Sequence, residues 1–142
     1  GQAISKPRYV IDLAGETTFD NVTGLSWHRQ VSTDGETAAS AISLCEASVV
    51  GGFTDWRLPS VREAVSLLRK RSAGLKSAEE KLAFPKMGGP TAGESITYNW
   101  HITGSNAMGD VTRQWRVRLY DGAVSTSLSS SPNPEGIVRC VR

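Results

Sequence analysis

The chain is poor in cysteine: Cys45 and Cys140 are the only two in 142 residues. Two thiols cannot complete a four-ligand zinc site, and the only histidines, His28 and His101, stand in unrelated contexts. No run approaches the ~18 apolar residues of a membrane span. No apolar leader opens the chain, which says nothing about its compartment. Charge of one sign is also lacking. The 16 basic and 14 acidic residues leave a net charge of +2. That is too balanced for bulk electrostatic capture of nucleic acid, so a charged ligand has to be held by a local patch. There is no Gly-x-Ser-x-Gly elbow, no phosphate loop and no metal-ligand cluster, which argues against an enzyme. There is no internal repeat and no sign of a second domain.

What is present is an ordinary globular composition, 39% hydrophobic and 21% charged, which excludes wholesale disorder. At this length one core can bury roughly two-thirds of the unfolded surface, so residues 1–142 read as a single domain. The first third is extended: a strand at Arg8–Ile11, a turn cluster at Asp20–Gly24 and a short strand at Leu25–Trp27. Thr33 and Glu36 have capping-box spacing. Ala38, Ala41, Ile42, Cys45 and Val49 follow on one helical face, and Gly51-Gly52 ends the helix. A linker, Phe53–Pro59, leads to a second capping box, Ser60 and Glu63. Val61, Ala64, Val65 and Leu68 line that helix, and Arg69-Lys70-Arg71 suit the negative end of its dipole.

Residues 72–95 read as a long loop with one helical turn at 77–82. The last third is β. A strand at Ile96–Thr103 and a turn at Gly104–Asp110 precede an alternating strand, Gln114–Tyr120. There Trp115, Val117 and Leu119 share one face, and Arg116, Arg118 and Tyr120 the other. Asp121-Gly122 signals a hairpin, returning through Ala123–Leu128. After a Ser/Pro loop, Ile137–Val141 closes the chain. Helices segregated from strands make the fold α+β, two helices packed on a small twisted antiparallel sheet with long loops. On composition alone, Cys45 and Cys140 are equally two separate buried thiols or a disulfide joining the first helix to the last strand.

Three groups of residues can carry chemistry. Arg116 and Arg118 share a strand face with Tyr120, and Arg113 lies just before. Guanidinium groups take sulfate or carboxylate bidentately, and an aromatic beside them can stack on a sugar ring. The bland alternative is a solvated strand face that discourages edge pairing. Tyr98, Asn99, Trp100 and His101 form a second candidate surface, in which alternation buries Trp100 and exposes Asn99 and His101. Asp55, Arg57 and Glu63 suit a structural ion-pair network holding the linker to the second helix. Trp27, Trp56 and Trp115 read as core.

Several blocks resemble a bacterial family, the Lcl C-terminal domain found at the end of collagen-like adhesins. They are Asp20–Trp27, Cys45, Gly51–Ser60 with Glu63, Gln114–Val117, Asp121-Gly122 and the ending Val138–Arg142. The resemblance implies a C-type-lectin-like fold related to the formylglycine-generating-enzyme scaffold. It also implies a Cys45–Cys140 disulfide and, with it, an oxidising compartment. It implies a place on a bacterial surface, at the tip of a larger or fibrous protein, and binding to sulfated polysaccharides or host cells. The chain departs from the family at Tyr98–Thr103, where a Tyr-Trp-Ser-Ser-Thr-like segment is usual. Calcium-dependent lectins carry Glu-Pro-Asn or Gln-Pro-Asp elements. Here Asn133-Pro134-Glu135 reads as a loop turn, so neither calcium nor another cofactor is expected.

The expectation is therefore an extracellular, non-enzymatic recognition domain for glycans, anionic ones included, with no nucleic-acid partner and no membrane insertion. Its contact surface is residues 72–95, 104–112 and 123–135, and a preceding stalk would make it a homotrimer. The alternatives are a protein-binding or self-assembly module that caps a trimeric fibre, and a degenerate enzyme relative.

Overall fold

The computed structural model describes residues 7–32, 35–67, 84, 100–107, 110–118, 122–128, 130–131 and 136–142. Three short strands, β1 (Tyr9–Ile11), β2 (Thr17–Asp20) and β3 (Ser26–His28), make an antiparallel meander. Helices α1 (Ala38–Glu46) and α2 (Val61–Val65) follow, separated by a 3₁₀ turn at Val50–Gly52. A second antiparallel sheet holds β4 (His101–Ala107), β5 (Asp110–Arg118) and β6 (Ala123–Leu128) in sequence order. The fold is α+β. The predicted helical turn at 77–82, Leu68, the basic run 69–71 and Asn133–Glu135 lie outside the described residues.

Local chemistry explains most boundaries. Asp12 closes the β1–β2 turn by accepting the amide N–H groups of Glu16 and Thr17 at 2.7 and 3.2 Å. Asp20 is buried, and its carboxylate takes a fork of two 3.0 Å bonds from Arg8 and a third from the Val22 amide. Arg8 also reaches the Ser66 carbonyl at 2.8 Å, pinning the first sheet to the end of α2. β2 had no signal in the sequence reading, because Thr-Thr-Phe-Asp shows no alternation.

The capping box of α1 is Thr37 with Ser40, where the spacing suggested Thr33 with Glu36. Glu36 is drawn off by a backbone bridge, its N–H donating to Gly136 O at 2.7 Å, so the helix starts after it. α1 buries Ala38, Ala41 and Cys45. Ile42 and Val49, expected on the same face, are 40% and 67% exposed. Val49 lies beyond the helix end at Glu46, and the buried stripe is too narrow to include Ile42. The second box is as expected. Ser60 Oγ accepts the Glu63 N–H at 3.1 Å, and Glu63 Oε1 accepts the Ser60 N–H at 2.9 Å. Ala64 and Leu67 then face the core, while Val65 is exposed.

Among the described residues two hydrophobic cores result. One contains Tyr9, Trp27, Ala64, Leu67, Phe84, Val117 and Val141. The other contains Ala41, Cys45, Trp56, Leu58, Ile102, Val138 and Cys140. The C-terminal segment runs between them. In an extended chain successive side chains face opposite sides, so Cys140 enters one core and Val141 the other. The Cys45–Cys140 disulfide is formed, with Cα atoms 5.6 Å apart.

The closing segment does not form one ladder but a series of single bridges. Ile137 pairs with Trp100 and Ile102, Val138 with Ser32, Cys140 with His28, Val141 with Arg57 and Arg142 with Ser26. Its first residue is a tight fit: a Cβ on Gly136 would sit 2.7 Å from Trp100 O.

Two outcomes follow from this packing. Replacing both Cys45 and Cys140 by Ala is expected to lower the unfolding free energy by about 4–5 kcal/mol, the loop-closure value for 95 residues. Denaturant titration measures it. Gly136→Ala is expected to cost ~1–3 kcal/mol through overpacking against backbone that cannot yield, read as a fall in thermal midpoint with the disulfide intact.

Candidate functional site

β5 decides where the arginines point. Its pairing with β6 is regular from Arg113↔Leu128 to Arg118↔Ala123, and paired residues share a face. Gln114, Arg116 and Arg118 therefore stand on one face with Ser127, Ser125 and Ala123. Arg113, Trp115 and Val117 stand on the other with Leu128, Thr126 and Val124. Arg113 is thus separated from the other two arginines, and its guanidinium donates to Thr126 Oγ1 at 3.4 Å.

Trp100 joins the arginines. Its carbonyl accepts the Ile137 N–H at 2.8 Å, which fixes the residue just before β4. Its half-buried indole lies under both guanidinium groups, with Arg116 Cζ 4.6 Å and Arg118 Cζ 5.1 Å from the ring centroid. Both distances are within cation–π range. Both guanidinium groups thus share one indole, and a guanidinium can still take sulfate or carboxylate through its planar N–H edge. Beside them Gln114 and Ser127 face each other across the strands. Gln114 Oε1 and Ser127 Oγ are buried without a hydrogen-bond partner among the described residues.

His101 is a correction. It was expected on the exposed side with Trp100 buried, yet His101 is only 4% exposed and Trp100 is the more accessible. The register explains this: His101 pairs with Val117, whose face lies against the core. Trp115 is also corrected, being half-buried and not core, since it lies two residues from Val117 toward the uncovered part of the sheet. Trp27 and Trp56 are core as expected. Tyr98, Asn99 and Tyr120 lie outside the described residues.

The linker network is also rearranged. Arg57 and Glu63 form a two-pronged pair at 2.6 and 2.8 Å. The Arg57 bonds lead, against opposing burial, in holding the Glu63 carboxyl down to about 2. Asp55 does not join them. It takes Arg142 at 2.5 and 3.2 Å, and the same guanidinium lies 3.6 Å over the Phe53 ring. The sequence carried no signal for this exchange, because both arginines suit Asp55 equally by type.

Buried basic groups cluster under the closing segment. Arg139 is 1% exposed, donates from Nη1 to the carbonyls of His28 and Arg29, and sits 5.3 Å over the Phe84 ring. Burial, then the Arg29 charge, lowers its pKa to about 9. His28 packs edge-on against Trp56 at 4.4 Å, with Nε2 2.9 Å from Ser48 Oγ. Burial and then the Arg139 charge push His28 down to about 4 and His101 down to about 3. Among the described residues no three His, Cys, Asp or Glu side chains stand together as a metal site. No described helix is long and apolar enough to cross a membrane.

The chain's residues 16–142 match the Lcl C-terminal domain model. The chain belongs to the Lcl C-terminal domain family. No curated protein and no solved structure matches it. The family match includes the disulfide, the arginine–indole face and every core residue except Tyr9, so this Lcl C-terminal domain carries its candidate site within the family's own frame.

The two histidines give the domain an acid-sensitive interior. Their folded pKa values lie below the unfolded value of 6.5, so the unfolded chain binds more protons as pH falls. Stability is expected to be complete above about pH 6.5 and to decline from there toward pH 4. Paired carboxylates such as Glu63 add their own loss only below about pH 4.5. Urea midpoints measured across this range should fall between pH 6.5 and 4.5 in the native sequence, and less steeply in His28→Gln.

Proposed function

We propose that this Lcl C-terminal domain is an extracellular, non-enzymatic recognition domain of C-type-lectin-like build that binds anionic glycans on a cell surface or matrix. It would sit at the end of a larger surface or fibre protein. The observation that carries the reading is the pair Arg116 and Arg118 stacked on Trp100. Stacking holds two flexible side chains close to a binding geometry, so less conformational entropy is lost when sulfate or carboxylate arrives. Where the indole face is left uncovered it offers a flat apolar surface to the sugar ring. The disulfide suits an oxidising, extracytoplasmic setting. Affinity per domain would be modest, and repetition on a fibre would raise it.

A second reading has its own observation. On the opposite face of the same sheet, Val124 and Leu128 are exposed beside half-buried Trp115. Apolar side chains gathered there favour association with a protein or with further copies of the domain, as in a trimeric fibre cap.

A glycan array probed with the oxidised domain displayed multivalently, with and without chelator, tests the first reading. Chelator-resistant, salt-sensitive binding to sulfated or uronic-acid glycans is expected. It should drop at least about tenfold in Arg116→Ala/Arg118→Ala, as the loss of two charge-assisted contacts implies, and much less in Arg113→Ala. A blank array with a folded probe overturns it. Trimers of the isolated domain in sedimentation, lost in Leu128→Asp, would then favour the second.

A further inference from the structure

A separate cavity of about 180 Å³ lies at the first sheet, away from the arginine–indole face, lined by Gly15, Glu16, His28, Gln30 and Val50. It opens to solvent, and most of its lining is apolar. The volume is below the ~300–1,000 Å³ of drug-sized sites, so it accepts one small molecule or the end residue of a chain.

Its shape is held from several directions. Gly15, at φ +73, turns the β1–β2 hairpin, and Arg29 Nη1 donates to the Gly15 carbonyl at 3.3 Å. Glu16 is fixed by one oxygen, Oε2, which accepts the Gly51 N–H at 3.0 Å. Its other oxygen makes no hydrogen bond among the described residues. The Arg29 N–H donates to the Glu16 carbonyl at 3.0 Å, locking the two edges together. The His28 ring is wedged between Trp56 and Ser48. Val50, whose carbonyl accepts the Trp56 indole N–H at 3.0 Å, supplies a rigid apolar wall.

Charge decides the ligand class. Arg139 imposes a positive field on His28, which disfavours an ammonium group there. The Glu16 carboxylate and the Arg29 guanidinium, bonded to the Gly15 carbonyl, both stand at this opening, so a small anion gains nothing net. What remains favoured is an uncharged molecule with an apolar face and several hydroxyl groups. A carboxylate oxygen and an amide across one opening accept from and donate to such hydroxyls, and the C–H face of the ring lies on Val50.

We propose that this cavity is a binding subsite for a single neutral sugar residue, held through Glu16 and Gln30 against Val50 and His28. The subsite goes beyond the anionic-glycan reading and does not depend on it.

Nuclear magnetic resonance of the oxidised, isotope-labelled chain at pH 7 tests it. The probes are D-glucose, D-galactose, D-mannose and N-acetyl-D-glucosamine, each titrated into the millimolar range, with methylammonium and sulfate as charged comparisons. Saturable shifts are expected at the Gly15 and Gly51 amides and the Trp56 indole N–H with at least one sugar. Gln30→Ala, at an exposed position, should weaken that binding about tenfold, as loss of one hydrogen-bonding group implies, with the disulfide and thermal midpoint unchanged. No saturable shift with any of the four sugars overturns the subsite, as does stronger binding of methylammonium at these residues. Sugar shifts confined to Trp100, Arg116 and Arg118 also overturn it, while leaving the arginine face standing.

Discussion

The extended segment 136–142 places its peptide groups against five separate parts of the chain, and that constraint holds the rest of the fold in place. Its backbone meets Glu36, Trp100 with Ile102, Ser32, His28, Arg57 and Ser26 in turn. The strands of the first sheet are only three or four residues long, and α2 has five. Elements this short are marginal alone. They are held by one another and by one segment that pairs with β3, packs Val141 into the core shared with β1 and α2, and is itself fastened by Cys140 to α1. Alternation along that segment puts Val138 and Cys140 in one core and Val141 in the other, so neither core can loosen without disturbing the second.

The same segment sets the electrostatics and the site. Arg139 is carried inward by its position between two core residues. Burying a cation is costly unless its donors are met, and here the carbonyls of His28 and Arg29 meet Nη1. Burial first, and then this charge, favour the neutral form of two nearby imidazoles. One residue earlier in the pairing, Ile137 holds the Trp100 carbonyl, and Gly136 passes close enough to admit no side chain. Trp100 is thereby set beneath Arg116 and Arg118. The arginine–indole face on β5 thus depends on the tail as much as on the strand that carries the arginines.

Much of the frame was legible because it rests on local chemistry. Ser60 and Glu63 cap α2 through bonds within three residues, and Ala123–Leu128 pairs back along β5 as its position in the sequence suggests. The α1 start was misread because the competing interaction, the bridge from Glu36 to Gly136, spans a hundred residues of sequence. Asp55 was assigned to Arg57 and belongs to Arg142 for the same kind of reason. Trp100 and His101 were assigned to the wrong sides because alternation gives the period of a strand but not which phase faces the core.

By itself the sequence determined the α+β class, the capping of α2, the β5–β6 hairpin and, through the family blocks, the cysteine pairing. Each depends on residues adjacent in the chain or on a pattern spread across it. Tertiary structure alone decided that Arg116 and Arg118, and not Arg113, share an indole. It also decided that His28 and His101 lie neutral beside a buried arginine, and that Glu16, Gln30 and Val50 enclose one cavity. Those outcomes depend on the phase of strands against two cores and on contacts between residues far apart in the chain.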